Sequence, residues 1–115
     1  MAIKIFHNPR CSKSRQTLAL LTERGIKPDI IDYLKTPPNQ ETLQSILKML
    51  GINPIDLIRK GEALYTELDL DNHTNDPQIL IDAMIRNPIL IERPIVIANN
   101  RAVIGRPPEL VLDII

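Results

Sequence analysis

The sequence is poor in aromatic residues and contains a single cysteine. Its 115 residues include one Phe, two Tyr and no Trp, so it offers no aromatic platform on which the bases of single-stranded nucleic acid could stack. The 19 Ile and 15 Leu residues instead predict an aliphatic core. One thiol, that of Cys11, cannot form an internal disulfide, which excludes a disulfide-stapled secreted scaffold.

Net charge, long apolar runs and a secretory leader are also missing. The 14 basic and 14 acidic residues cancel, which argues against a non-specific nucleic-acid binder. No apolar stretch approaches the roughly 18 residues that a membrane span needs, and the first residues lack the apolar core and cleavage site of a signal peptide. We therefore expect no nucleic-acid or membrane partner and a location in the cytoplasm.

The neutral total hides an asymmetry along the chain. Residues 1–35 carry seven basic and three acidic side chains, a net charge of +4, so the remaining residues carry −4. Six of the acids, and no Lys or Arg, fall within 62–82, a pattern typical of a solvated face. The positive charge is concentrated around Cys11.

Hydrophobic periodicity and turn residues predict the order βαβ, a helical block, then ββα. Strands over 3–6 and 29–33 enclose a helix over 12–24, and a crossover of that length makes the two strands parallel. An Asn pair between two β-rich runs, 94–98 and 101–105, predicts an antiparallel hairpin. The helices predicted after residue 38 cover the segments 40–50, 55–60, 62–68, 77–87 and 110–115.

This order of elements resembles that of a thioredoxin-like domain. The predicted fold class is α/β, with a mixed four-stranded sheet (βαβ … ββα) interrupted by a helical insertion at about 39–87. A chain of 115 residues is long enough for one domain and too short for two ordinary ones, so we expect a single domain over 1–115.

Cys11 stands where the first strand ends and the first helix begins. The N–H groups that open a helix lack internal partners and carry partial positive charge, so they favour a thiolate and can cradle an anion. Cationic neighbours also lower the pKa of a cysteine. The basic side chains within four residues of Cys11 are His7, Arg10, Lys13 and Arg15. We therefore predict a nucleophilic thiolate beside an oxyanion site, with these substrate-binding residues at the helix start: Ser12, Lys13 and Ser14.

Several other kinds of cysteine site do not fit the spacing. Ser14 stands where a Cys-x-x-Cys motif needs its second thiol, so the protein cannot cycle alone as a thioredoxin does. Thr17 stands where a phosphatase-type C-x₅-R loop needs arginine. One Cys and two distant His make no credible zinc site, so no bound metal is expected. A buried, inert cysteine is the alternative, and the basic neighbours of Cys11 argue against it.

Three arginines and a histidine are further candidates for the site. Arginine presents a planar set of donors suited to tetrahedral oxyanions. Arg93 and Arg106 bracket the predicted hairpin and can point to the same end of the sheet, while Arg59 lies near the end of a short predicted helix. Taken one by one, arginines in such contexts are more often surface residues than members of a site. His7 is either a general base or electrostatic partner of Cys11, or a residue that caps backbone groups at the strand end.

The segment from His7 to Arg15 resembles the active-site segment of the glutaredoxin-coupled arsenate reductases, the ArsC type of thioredoxin-fold protein. Ser12-Lys13 stands where better-known members have Gly-Thr, and Arg10 where they have a smaller residue, which is typical of a sister group of arsenate-reductase-like proteins. Further stretches that match the family, in order, are 33–38, 57–60, 87–96 and 106–109.

The resemblance implies a role for each candidate residue. Cys11 would be the nucleophile that attacks arsenate, and His7 would help to hold it as a thiolate. Pro94 would be the cis-proline that faces the active-site loop in thioredoxin folds. The oxyanion-binding arginines would be Arg59, Arg93 and Arg106.

The resemblance also implies a reaction and its partners. Cys11 would form a covalent adduct with arsenate or a similar oxyanion, glutathione would join the arsenic, and glutaredoxin would resolve the mixed species as arsenite leaves. No bound cofactor is implied, because glutathione acts as a co-substrate. Two alternatives stay open: a thiol-disulfide or mixed-disulfide oxidoreductase of the same fold with another substrate, and an Spx-type regulator that binds RNA polymerase.

Overall fold

Two compact units make up the computed structural model, which describes residues 2–115. The first unit comprises residues 2–36 and 93–115, and the second comprises residues 37–92. Met1, the first residue of the predicted domain, lies outside the described residues. The single-domain organisation with an insertion at about 39–87 stays a prediction.

The first unit is built on four strands: β1, Lys4–His7; β2, Asp29–Asp32; β3, Ile95–Ala98; and β4, Arg101–Ile104. They form one sheet with the strand order β2-β1-β3-β4. β1 runs parallel to β2 and antiparallel to β3, and β3 runs antiparallel to β4. The predicted α/β fold class with a mixed four-stranded sheet is confirmed.

Helix α1, Ser12–Glu23, connects β1 to β2. It begins after Cys11, whose extended backbone (φ −93°, ψ 123°) is that of an N-cap residue, and it ends just before Gly25, which has a φ of 75°. The predicted helix over 12–24 is confirmed apart from its last residue. Leu21 of α1 packs into an aliphatic core whose other buried members are Ile3, Ile5, Val96, Ala98, Val111 and Ile114.

Asn99 and Asn100 form the turn between β3 and β4. Their φ angles of 54° and 60° are those of a type I′ turn, whose twist suits a two-residue hairpin. The predicted antiparallel hairpin is therefore confirmed. The Asn99 side chain also donates to the Ile114 carbonyl at 3.0 Å, which ties the turn to the C-terminal segment.

The C-terminal helix differs from the predicted α-helix over 110–115. A 3₁₀ helix spans Pro108–Asp113 instead, so it begins and ends earlier. The missing N–H of proline costs nothing at a first helical position. Val111 and Ile114, the residue directly after the helix, are both buried, and side chains three residues apart lie directly above one another in a 3₁₀ helix. The spacing of these two core residues is compatible with the tighter helix.

The second unit is helical. Asn39 caps α2, Gln40–Leu50, by accepting the N–H of Thr42 at 2.8 Å, and Gly51 ends that helix with a φ of 68°. The helices predicted over 40–50, 62–68 and 77–87 are confirmed to within one residue at either end. No helix within residues 2–115 is long and apolar enough to cross a membrane. The other helices of this unit are α3, Pro54–Leu57; α4, Ala63–Glu67; α5, Pro77–Arg86; and the 3₁₀ helices Leu70–His73 and Pro88–Leu90.

The prediction of a helix over 55–60 is wrong for its second half, residues 58–60. It stops before Ile58, which forms an isolated antiparallel β-bridge with Ile91. The next N–H along the chain, that of Arg59, donates to the Leu90 carbonyl at 2.7 Å. Arg59 therefore follows a β-bridge and lies outside any helix, contrary to the prediction, because pairing with a distant segment outweighs the local helical pattern.

Replacing Gly105 with alanine is expected to destabilise the protein by about 1–3 kcal/mol. The added methyl group would lie 2.6 Å from Thr17 Oγ1 and 3.0 Å from Pro94 Cγ, and both of these residues are buried. The Thr17 hydroxyl donates to the Lys13 carbonyl at 2.8 Å, so it cannot turn away without loss of a hydrogen bond. Urea unfolding measures the effect. Gly61→Ala is the matched control, since nothing lies within 4 Å of its added methyl, and equal stability of the two variants would contradict the prediction.

Candidate active site around Cys11

The loop between β1 and α1 is held by Asn8, a buried residue. The Asn8 carbonyl accepts the N–H of Cys11 at 3.0 Å, and its Oδ1 accepts the N–H of Arg10 at 3.0 Å. These bonds close a tight turn that leaves Cys11 half-buried at the start of α1. Reasoning from the sequence missed this role of Asn8, although Asn directly before Pro9 is a turn signal that points to it.

His7 and Ser14 form a buried hydrogen bond next to this loop. His7 Nδ1 lies 2.6 Å from Ser14 Oγ, which also accepts the N–H of Asn8 at 3.0 Å. Burial lowers the pKa of His7; the Asp32 carboxylate acts in the opposite direction, and Arg15 adds to the lowering. The imidazole is therefore neutral at neutral pH. The Ser14 hydroxyl connects it to the backbone of the loop at Asn8.

The pKa of the Cys11 thiol lies below its ordinary value. Burial, the largest single contribution, raises this pKa, but groups that stabilise the thiolate together outweigh it. The Ser14 N–H donates to the sulfur, the Arg93 guanidinium donates and adds positive charge, and the Lys13 N–H donates as well. A larger fraction of Cys11 is therefore thiolate at neutral pH than for an ordinary cysteine.

Arg93 and Arg106 bring two guanidinium groups to the cysteine. Arg106 Nη1 lies 3.9 Å from Cys11 Sγ and donates to the Arg93 carbonyl at 3.3 Å. The Arg93 side chain interacts with the same sulfur through a hydrogen bond and through its charge. The two guanidinium groups and the N–H groups that open α1 give the sulfur a set of donors suited to an oxyanion.

Each of these arginines precedes a cis peptide bond. The bonds Arg93–Pro94 and Arg106–Pro107 are both cis, and the second is not expected from the sequence. Pro94 is buried, and its carbonyl accepts the N–H of Gly105 at 2.9 Å. This hydrogen bond joins the two arginine-bearing segments next to the cysteine.

The first residues of α1 contribute in different ways. Lys13 gives its backbone N–H to the sulfur, whereas Ser12 is exposed. Contact of Ser12, Lys13 or Ser14 with a substrate stays a prediction. Within residues 2–115, no group of three or more His, Cys, Asp or Glu side chains is arranged to hold a metal ion.

Arg59 belongs to the second unit and is held there by two acidic residues. Its Nε donates to Glu62 Oε1 at 3.2 Å, and its Nη1 donates to Glu92 Oε1 at 2.9 Å. The side chains are about one quarter exposed, so both ion pairs are partly shielded from water. Two carboxylates orient this guanidinium and offset its charge. An oxyanion-binding role for Arg59 stays a prediction.

Known proteins resemble this chain in sequence and structure over most of their length. Residues 6–114 match the sequence model of the ArsC family. The uncharacterized protein YfgD of Escherichia coli strain K12 is 54% identical, over 98% of this chain and 96% of its own. An arsenate reductase of Neisseria meningitidis is 50% identical, over 93% of this chain and 92% of its own. The solved structure of an arsenate reductase from Vibrio cholerae has a TM-score of 0.96 at 48% identity, and the match covers 100% of this chain and 98% of that one.

Proposed function

The chain belongs to the ArsC family, and we propose that it is an arsenate reductase that uses glutathione and glutaredoxin. One observation carries the proposal: a thiol of lowered pKa, Cys11, has Arg106 Nη1 3.9 Å from its sulfur and Arg93 donating to the same atom. The thiolate is the nucleophile, and the two guanidinium groups match the negative charge of arsenate. Similarity to proteins named arsenate reductase supports arsenate as the oxyanion.

Cys11 attacks arsenate in the first step. Its thiolate forms a bond to arsenic, and one arsenic–oxygen bond breaks. Dihydrogen arsenate and one proton thus give a thiol-bound arsenate and water, with no change in the oxidation state of arsenic. Arg93 and Arg106 stabilise the negative charge on the arsenate oxygens during this step.

Two external thiols complete the reduction, because the chain has no second cysteine. Over the whole reaction, dihydrogen arsenate, two thiols and one proton yield arsenous acid, one disulfide and water, so arsenic gains the two electrons that the thiols lose. Glutathione joins the arsenic, glutaredoxin resolves the mixed species, and Cys11 returns to the thiolate as arsenite leaves. The thiols carry the electrons, so no prosthetic group is required. A glutathione-dependent reaction is expected in the cytoplasm.

His7 contributes by positioning the loop and not as a cation. Its neutral imidazole lies 2.6 Å from Ser14 Oγ, and Ser14 in turn accepts the N–H of Asn8 and gives its own N–H to the Cys11 sulfur. We therefore assign His7 as a positioning residue. The positive charge beside the sulfur comes from the guanidinium groups of Arg93 and Arg106.

The purified protein, supplied with arsenate, glutathione and glutaredoxin, is expected to release one arsenite for each disulfide formed. Arsenite separated by chromatography and oxidised glutathione are measured in the same samples. Omission of glutaredoxin is the control and should slow the reaction, because the mixed species is then resolved less efficiently. If no arsenite forms with glutaredoxin supplied, the substrate assignment is wrong, and reduction of a glutathione mixed disulfide by Cys11 becomes the better-supported activity.

A further inference from the structure

A groove with a volume of about 400 Å³ lies beside the Cys11 loop in the first unit. Its volume is within the range of small-molecule sites, roughly 300–1,000 Å³. Arg10 directly precedes Cys11 in the chain, and the Asn8 carbonyl accepts the Cys11 N–H at 3.0 Å, so one wall of the groove is the loop that carries the nucleophile. The lining residues are Asn8, Pro9, Arg10, Asp32, Leu34 and Lys35.

Hydrogen bonds hold both walls of the groove in place. On the loop side, the Pro9 carbonyl accepts Arg15 Nη1 at 3.0 Å. On the other side, Asp32 accepts the Lys35 N–H through its carbonyl at 3.1 Å and the Leu34 N–H through Oδ1 at 3.3 Å. The groove is therefore formed before any ligand binds, which reduces the entropy that binding would cost.

The groove carries two cations and one carboxylate. The side chains of Arg10 and Lys35 are exposed, and within residues 2–115 neither makes an ion pair, so their charge is available to a ligand. Asp32, which is half-buried, also lines the groove, and its carbonyl accepts the Lys35 N–H. This set of charges fits a small zwitterion with two carboxylates and one ammonium group.

We propose that the groove binds the charged ends of the peptide thiol that joins arsenic on Cys11, which makes it the co-substrate site. The inference rests on the proposed function, in which glutathione is that thiol. Glutathione has two carboxylates and one ammonium group, so Arg10 and Lys35 each bind a carboxylate and Asp32 binds the ammonium group. The single cysteine of the chain explains why such a site is needed beside the nucleophile.

The bound thiol acts on the adduct that Cys11 has already formed with arsenate. Its sulfur bonds to arsenic and an arsenic–oxygen bond breaks, and the oxygen leaves as water with the proton of the thiol. A second thiol then attacks the peptide sulfur and its proton passes to an arsenic oxygen; a disulfide forms, the bond between that sulfur and arsenic breaks, and its electron pair stays on arsenic. Water then displaces the Cys11 thiolate from arsenic, and arsenous acid leaves. Arsenic is reduced by two electrons in this second step, and the two thiols are oxidised.

Binding of S-methylglutathione tests the groove without turnover, because its methylated sulfur cannot react. Titration followed by backbone amide NMR is expected to shift the signals of Arg10, Leu34 and Lys35.

The double variant Arg10→Ala/Lys35→Ala should raise the Kd about tenfold, since it removes two exposed charge contacts. Added salt should weaken binding to the wild-type protein and have little effect on the double variant.

Lys27→Ala is the matched control for the loss of a positive charge. Lys27 is exposed and does not line the groove, so this variant should bind S-methylglutathione as the wild type does. Equal affinity of the wild type and the double variant, or amide shifts confined to other parts of the protein, would overturn the proposal. Failure of the proposed function has a different signature, namely no arsenite from the wild type with glutathione and glutaredoxin, whatever the binding result.

Discussion

Replacement of Cys11 with serine is expected to abolish arsenate reduction, with a loss of kcat on the order of 10⁴-fold or more. The Cys11 thiol has a lowered pKa and ionises readily, whereas a serine hydroxyl at the same position stays protonated. The chain has no other thiol that could act in its place. The proposed mechanism therefore has no nucleophile in this variant.

Arsenite formation and intact-protein mass spectrometry measure this effect together. The wild-type protein should gain the mass of an arsenate adduct, and Cys11→Ser should not. The variant Cys11→Ser/Ser45→Cys is the matched control, because it restores one thiol at an exposed position of α2. It should stay inactive. Turnover by either variant would show that the reaction does not depend on a thiol at the start of α1.

Replacement of Arg93 with alanine is expected to lower kcat/KM for arsenate at neutral pH by about 10²–10³-fold. Arg93 both donates to the Cys11 sulfur and adds positive charge beside it. Without Arg93, the effect of burial on Cys11 is less opposed, so the pKa of the thiol rises and less thiolate is present. In the proposed mechanism, arsenate also loses one of its two guanidinium partners near the sulfur.

Titration of the thiolate by its ultraviolet absorbance checks the direction of this shift. Arg93→Ala should titrate at higher pH than the wild type. Arg93→Lys keeps the charge and should recover part of the shift but little arsenate activity, because lysine lacks the planar set of donors. Arg106→Ala is the matched comparison; Arg106 is exposed, so solvent screens its charge and the thiol pKa should change less. An unchanged Cys11 pKa in Arg93→Ala would show that Arg93 is not the partner of the thiolate.

Helices and strands that are ended by a nearby glycine or asparagine with a positive φ angle could be predicted from the sequence alone. α1 ends two residues before Gly25 and α2 ends directly before Gly51, both glycines have positive φ angles, and Asn99-Asn100 forms the hairpin turn. Each of these features depends on residues a few positions apart, so local conformational preference is enough to set it.

Elements with distant partners could not be predicted in this way. α3 ends before Ile58 because Ile58 pairs with Ile91 in a β-bridge. Periodicity along the chain carries no information about that distant partner. Val111 of the C-terminal 3₁₀ helix, and Ile114 directly after it, are buried in a core that strand residues also fill. At Ile58 long-range packing outweighs the helical pattern of nearby residues.

For the site, the proposal that Cys11 is the nucleophile and depends on an external thiol follows from composition and order: one cysteine, at a helix start, among basic side chains. The groups that hold it as a thiolate follow from the folded arrangement. Arg106 is 95 residues from Cys11 in the chain but lies beside its sulfur, and Arg93 lowers the pKa of the Cys11 thiol. Burial keeps the His7 imidazole neutral, and that ring is hydrogen-bonded to Ser14. The physical reason is that a pKa depends on desolvation and on distances in space, and the order of residues contains neither.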